Sequence, residues 1–213
     1  MSTRPNPTPI PTQTPTPSEL PFDEVITSED ELRKLYRQPV AVVANKKLDH
    51  MEPWIRVTIA AARFAFVATA DRAGRPTVSP RGGNEGFVTV LDERRLAIAD
   101  YAGNNLIDSL RNIVENPSIG IIFVVPGRNE TIRVDGDAWV SVDPEVLRLC
   151  RKGDRRRVKT AICVRVRSVF FHCPSSFNRA TLWESNTWRD DVDLEYDDFI
   201  RRSLPPDEWP SWA

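Results

Sequence analysis

The chain has 213 residues, 29 Lys and Arg against 30 Asp and Glu for a net charge of −1, and 40% hydrophobic residues. One domain with tails is the expectation at that length, and near-balanced charge argues against a dedicated nucleic-acid binder. No run approaches the roughly 18 to 20 apolar residues of a membrane span. The opening MSTRPNPTPIPTQ has no apolar h-region and does not read as a secretory signal. Three Cys make no disulfide framework, and an odd count suits a reducing cytoplasm. With two His and neither C-x-x-C nor H-x-x-x-H spacing, no metal site is expected. The prediction is a soluble cytoplasmic protein without a nucleic-acid or membrane partner.

Seven prolines fall in the first 21 residues, interleaved with Thr, Ser and Asn. Residues 1–22 are therefore expected to be a disordered arm, a solvated leader rather than a ligand for a Pro-binding module. Residues 23–185 form the expected domain. Ser28-x-x-Glu31 is a capping box opening a short helix to about Arg37, and a second helix follows Asp49 to about Ala61. Strands are expected at Phe64–Ala70 and Pro76–Pro80, on either side of a loop containing Gly74. Phe87–Leu91 and Leu96–Ala99 form another pair. The clearest helix is Gly103–Glu115, where Leu106, Ile107, Leu110, Ile113 and Val114 make an apolar stripe. Ile119–Val125 reads as a strand buried on both faces. In Thr131–Val142 the residues alternate, with Ile132, Val134, Ala138 and Val140 on one face and Thr131, Arg133, Asp135 and Asp137 on the other. The basic stretch from Arg148 to Lys159 lacks aromatics and reads as a solvated loop rather than an RNA patch. Ala161–Phe171 is a long strand with Ile162, Val164, Val166 and Phe170 on one side. Residues 186–213 form an acidic tail whose late Trp209 and Trp212 suit docking on its own domain or on a second subunit. Strands at hairpin spacing with few helices between them predict a mainly β fold, a barrel with flanking helices.

Three segments suit an anion. Gly103-Asn104-Asn105 supplies a turn and amides where free N–H groups and the helix dipole favour negative charge. The run Ser79-Pro80-Arg81-Gly82-Gly83 puts a hydroxyl and a guanidinium before permissive glycines. It is neither a Walker A loop nor a dinucleotide-binding turn. Arg133, on a strand's polar face, is a third cation; its ordinary role is pairing with an acid such as Asp135. His172-Cys173 cannot act as a dyad, since adjacent strand residues point to opposite faces. No catalytic residue is singled out; Tyr101 and His172 are the nearest candidates for a general acid.

In chain order these segments resemble the pyridoxamine 5′-phosphate oxidase-like family of FMN-binding split barrels. More narrowly, they are similar to its FMN-dependent enzymes with a Ser-Pro-Arg-Gly motif. The matching residues are Phe66-Val67-Ala68-Thr69, Gly74-Arg75-Pro76, Val78-Ser79-Pro80-Arg81-Gly82, Gly103-Asn104-Asn105 and Asp108-Ser109-Leu110-Arg111-Asn112. They continue through Glu115-Asn116-Pro117, Pro126-Gly127, Glu130–Gly136, His172-Cys173, Phe177-Asn178-Arg179 and Leu182-Trp183.

The resemblance implies a six-stranded antiparallel split β-barrel and a homodimer with FMN at the subunit interface. It also implies an FMN-dependent oxidoreductase passing hydride through flavin N5 to or from a small-molecule substrate, with NADH or NADPH as a donor. The residues it assigns to the cofactor are Ser79, Arg81, Asn104, Asn105, Ser109, Arg111, Thr131, Arg133, Arg179 and Trp183, so Arg81→Ala and Arg111→Ala should each weaken FMN binding. The Ser-Arg-Lys and Arg-x-Val-Leu-Leu-Lys motifs of the vitamin B6 oxidases are missing, which counts against pyridoxamine phosphate as substrate. Two other readings stay open: a non-catalytic flavin carrier or redox sensor, and a split barrel using a deazaflavin or haem.

Overall fold

A computed structural model of the chain describes residues 22–101, 103, 105–151, 158–189, 191 and 196–205. The chain divides into two units, up to Ser175 and from Ser176 onward. The Pro-rich arm before residue 22, Asn104, and Trp209 and Trp212 of the tail lie outside the described residues.

In the first unit the apolar alternation becomes one antiparallel sheet. Its strands are β1 (Phe64–Ala70), β2 (Pro76–Gly82), β3 (Val88–Val90), β4 (Arg95–Tyr101), β5 (Ser118–Val124), β6 (Thr131–Ser141) and β7 (Val158–His172), in the order β2-β1-β5-β6-β7-β4-β3. Seven strands stand where the resemblance implied six, and all seven coincide with segments read from the sequence. Arg81, at the end of β2, bonds to Asp100 on β4, far along the strand order. The sheet therefore curls until its ends approach without pairing, which makes the barrel split. Val67, Ile121, Val134 and Val169 are registered neighbours across four strands, each 1% exposed or less, and they form the centre of the core.

The capping box opens α1 (Glu29–Leu35): Ser28 Oγ accepts from Glu31 N at 3.2 Å, and Glu31 accepts from Thr27 N. A short α2 (Ala41–Ala44) was not foreseen, and neither helix buries a residue. The helix α3 (Pro53–Ala61) starts on Pro53, whose missing N–H costs nothing at that position, and sends Ile55 and Ile59 into the core.

The helix α4 covers Asp108–Glu115, five residues shorter than expected at its start. Asn105 and Ile107 have φ of 59° and 52°, in the left-handed region, so 105–107 is a loop rather than a helical turn. The apolar stripe holds only in part: Ile113 is buried and Leu110 packs against the core, but Leu106, Ile107 and Val114 are exposed, while Ser109 and Asn112 are buried. Two polar residues go inward because hydroxyls meet them there. Asn112 Nδ2 donates to Thr69 Oγ1 and Thr77 Oγ1, both at 3.0 Å, and so ties the helix to β1 and β2.

Three more expectations are corrected. The basic stretch is not one loop: Arg148 lies in α5 (Pro144–Cys150), capped by Asp143, and Lys159 lies in β7, while 152–157 are outside the described residues. On β7, Phe170 is not on the side of Ile162, Val164 and Val166. Gly136 of β6 pairs with Val166 and Asp135 with Ser168, so Arg167 is an extra residue, a bulge that inverts the alternation. Val169 then enters the central core cluster, and Phe170, itself buried, lies on the opposite side of the strand, across from Arg133. A Cβ on Gly136 would lie 2.3 Å from Arg165 O, so the bulge requires glycine there. Thr131, placed on the polar face, is nevertheless buried.

The second unit contains most of α6 (Ser175–Ala180), a 3₁₀ turn at Ser185–Thr187 and α7 (Tyr196–Ser203). Part of the acidic segment read as a tail is therefore helical. Trp183 lies 6.2 Å from the Phe177 ring, and Trp188 Nε1 donates to Leu182 O at 2.9 Å. Among the described residues, no helix is long and apolar enough to cross a membrane.

Candidate functional site

Where the two ends of the curled sheet approach, a cleft of about 430 Å³ opens between β2, β4, Gly103, the 105–107 loop, the start of α4 and β7. Ser79, Arg81, Asn105 and Ser109 line it, together with Asp100, Asp108, Lys159 and Thr160, which the sequence did not single out. Ser79 and Arg81 pair with Val67 and Ala65 of β1, both fully buried, so their side chains project from the core-facing side of the sheet. Ser109 Oγ donates to Ser79 Oγ at 3.1 Å, joining helix and strand at the floor.

Arg81 is the most informative group in the cleft. Its Nη1 donates to Asp100 Oδ1 at 2.8 Å, and Thr160 Oγ1 leans on the other carboxylate oxygen at 3.5 Å. Its Nε is buried and has no hydrogen-bond partner. A buried guanidinium N–H left without an acceptor costs about 1–3 kcal/mol or more. The cleft is thus prepared for an acceptor.

The loop leading into α4 points to the same chemistry. Ile107 is a β-branched residue in a left-handed conformation, an uncommon strain that marks functional turns. No side chain caps the helix, so its first N–H groups are open to a ligand. Lys159 Nζ donates to Asn105 Oδ1 at 3.3 Å and brings a second cation to the rim. Two cations, two hydroxyls and free N–H groups suit an anionic oxygen cluster. Asp100 and Asp108 in the same lining limit how much negative charge one copy of the chain can hold.

The remaining sequence candidates lie elsewhere. Arg111 is two-thirds exposed and bonded to Asp108 one turn back, away from the cleft lining. Thr131 lines a second cavity of about 390 Å³ with Trp54, Thr58, Arg128 and Phe171. Arg133 lies on the outer side of the sheet, since its neighbours Ile132 and Val134 are the ones that enter the core. There it donates from Nε to Asp135 Oδ1 at 3.2 Å, the partner foreseen for it. Arg179 and Trp183 belong to the second unit. One copy of the chain therefore offers Ser79 and Arg81 on one side of the sheet and Arg133 on the other.

Among the described residues of the cleft, no side chain is arranged as a nucleophile. Burial pushes the Cys150 and Cys163 thiols up, away from thiolate reactivity. Among the described residues, no group of three or more His, Cys, Asp or Glu could hold a metal ion. Asp100, Asp108, Lys159 and Thr160 are the lining residues that sequence reasoning did not assign to the site. Lys159 was hidden at the end of a basic stretch, and only the pairing of β4 with β7 brings Thr160 opposite Asp100.

Compared with known proteins, residues 51–173, more than half of the chain, match the family described as pyridoxamine 5′-phosphate oxidase. No curated protein matches. Among solved structures, HupZ of Group A Streptococcus is 19% identical, with 57% of this chain and 94% of that one covered and a TM-score of 0.46. A provisional pyridoxamine 5′-phosphate oxidase from Lactobacillus delbrueckii is 22% identical over 59% of this chain and 98% of that one, with a TM-score of 0.45. HutZ, a heme storage protein from Vibrio cholerae, is 16% identical over 56% and 93%, with a TM-score of 0.39.

Proposed function

The chain belongs to the pyridoxamine 5′-phosphate oxidase family, and on that premise we propose that it is a cytoplasmic FMN-dependent oxidoreductase acting as a homodimer. The observation that carries this reading is the buried, unpartnered Nε of Arg81 in a cleft with an uncapped helix N-terminus. A phosphate oxygen is the acceptor that such an N–H lacks. The Ser79 and Ser109 hydroxyls and the Lys159 ammonium stand in the same lining and can share the negative charge. FMN, when bound, supplies hydride transfer at its N5, to or from a small molecule such as NADH or NADPH.

The chain's own residues then have defined tasks. Arg81 binds the phosphate end and is itself aimed by Asp100, which takes one of its terminal N–H groups. Asn112 fixes α4 against β1 and β2, and so holds Ser109 at Ser79. The two carboxylates in the lining keep the cleft from holding a dianion with one copy's cations alone. That shortfall of positive charge in one copy's lining supports a second copy as the missing contributor. In a dimer, a side chain of the second copy would complete the cleft.

The test is spectroscopic. Protein as purified, or after reconstitution, should show flavin absorption bands and saturable quenching of FMN fluorescence, and mass analysis of the extracted cofactor should return FMN. Colourless protein with no saturable quenching defeats the reading. A haem spectrum or a deazaflavin mass would keep the fold and replace the cofactor. Protein that binds FMN but oxidises neither NADH nor NADPH with any acceptor is a carrier or sensor.

A further inference from the structure

On the outer side of the sheet, away from the cleft, three cations converge on one ring. Lys46 Nζ lies 5.0 Å from the Phe170 centroid, Lys47 Nζ 5.7 Å, and the Arg133 guanidinium carbon 5.7 Å. The His172 ring is 6.3 Å away, two residues along the same side of β7. The only carboxylate that any of the three engages among the described residues is Asp135, which takes Arg133. Three positive groups against one negative leaves an excess of two.

The fold builds this cluster. The bulge at Arg167 turns Phe170 to the other side of the strand and sets it opposite Arg133. Leu48 pairs with Val169 through two backbone hydrogen bonds of 2.9 and 2.8 Å, which pins Lys46 and Lys47 beside the ring. The negative face of an aromatic ring offsets part of the repulsion among like charges but leaves their outward N–H donors free. Such an arrangement suits a compact dianion: several N–H donors on two strands, preset and short of negative charge.

We propose that Lys46, Lys47 and Arg133 form a binding site for the phosphate group of a small molecule, separate from the cleft at Arg81. The site is defined by its own side chains and stands whether or not the cleft takes FMN.

Titration calorimetry with pyrophosphate as the probe tests it, run on the protein alone and on protein saturated with FMN. One binding event should persist when FMN is present. It should weaken by about tenfold or more in Lys46→Ala/Lys47→Ala, the loss expected for charge-assisted contacts. Arg133→Gln should weaken it in the same direction. Arg95→Ala/Arg148→Ala removes the same charge from exposed pairs elsewhere and should leave it intact. Wild-type affinity in the lysine variant, or equal loss in the Arg95/Arg148 variant, overturns the proposal. So does lysine-dependent sedimentation with vesicles of anionic phospholipid in the absence of pyrophosphate binding, because the phosphate would then belong to a lipid surface. If FMN fails to bind, the lysine dependence still reports on this site alone, so the two readings fail separately.

Discussion

The strand β1 has two neighbours of opposite character. On one side β5 runs Ser-Ile-Gly-Ile-Ile-Phe-Val, with Ile119, Ile121, Phe123 and Val124 buried. On the other side β2 runs Pro-Thr-Val-Ser-Pro-Arg-Gly and buries no residue at all. Both are antiparallel to β1 in full register. The difference teaches where each draws its order from. β5 is held by burial, at roughly 25 cal/mol per Å² of apolar surface. β2 is held by polar ties: Asn112 and Ser109 from α4, Arg81 to Asp100, and the hairpin at Asp71. The strand that carries chemistry is the one that stability needs least.

The comparison breaks most visibly at Ile121. Ile121→Ala removes a side chain 1% exposed at the centre of the core and should cost about 2–5 kcal/mol in denaturant unfolding. A loss below about 1 kcal/mol would mean that β5 is not held by burial. Arg81→Ala should do the reverse: FMN affinity should drop by about 1.5–3 kcal/mol, the worth of a charge-assisted bond, while the melting temperature falls less than in Ile121→Ala. Arg111→Ala, in a largely exposed pair, should change affinity by no more than about 0.5 kcal/mol; equal losses would place the phosphate nearer the outer face of α4. Asn112→Ala removes the donor to Thr69 and Thr77 and should cost about 1–3 kcal/mol. Its FMN affinity should fall as well if α4 positions Ser109.

The smallest effect concerns pH. The hydrogen bond from the Arg75 side chain, aided by backbone N–H groups of Arg75 and Ala73, holds the Asp71 carboxyl below its ordinary value near 3.8. A carboxylate lowered on folding stabilises fully above that ordinary value, and loses its contribution as pH falls through the lowered one. Thermal melts from pH 7 down to pH 2 should therefore show a shallower acid limb in Asp71→Asn than in wild type. Identical acid limbs would show that the hairpin does not depend on this charge.

Much of this architecture can be read from residue order. Period-two alternation gives the strands, because a half-buried sheet has only two sides, and Ser28 with Glu31 gives α1. Three things escape for physical reasons. The bulge at Arg167 depends on Gly136 in another strand, so no local pattern in β7 reveals that Phe170 changes sides. The buried face of α4 is half polar because Thr69 and Thr77 wait there, and apolar counting misses a satisfied amide. The 105–107 loop looks helical from its apolar stripe, yet Asn105 and Ile107 adopt left-handed backbone that propensity does not anticipate. The cleft was legible in part: Ser79, Arg81, Asn105 and Ser109 were foreseen, whereas Asp100 and Lys159 come to it only through the pairing of β4 with β7.

Pro76 and Pro80 have a consequence for how the molecule behaves in company. β2 ends the sheet, so one side of its backbone has no neighbour among the strands. An open edge of this kind is a template on which a strand from another molecule can add. The two prolines have the same parity, so both missing N–H groups fall on the same side of the strand, the arrangement tolerated on a free edge. The rim of the cleft is thereby open to a small molecule and closed to a polypeptide strand, and crowding in the cell should not turn this opening into a seed for aggregation.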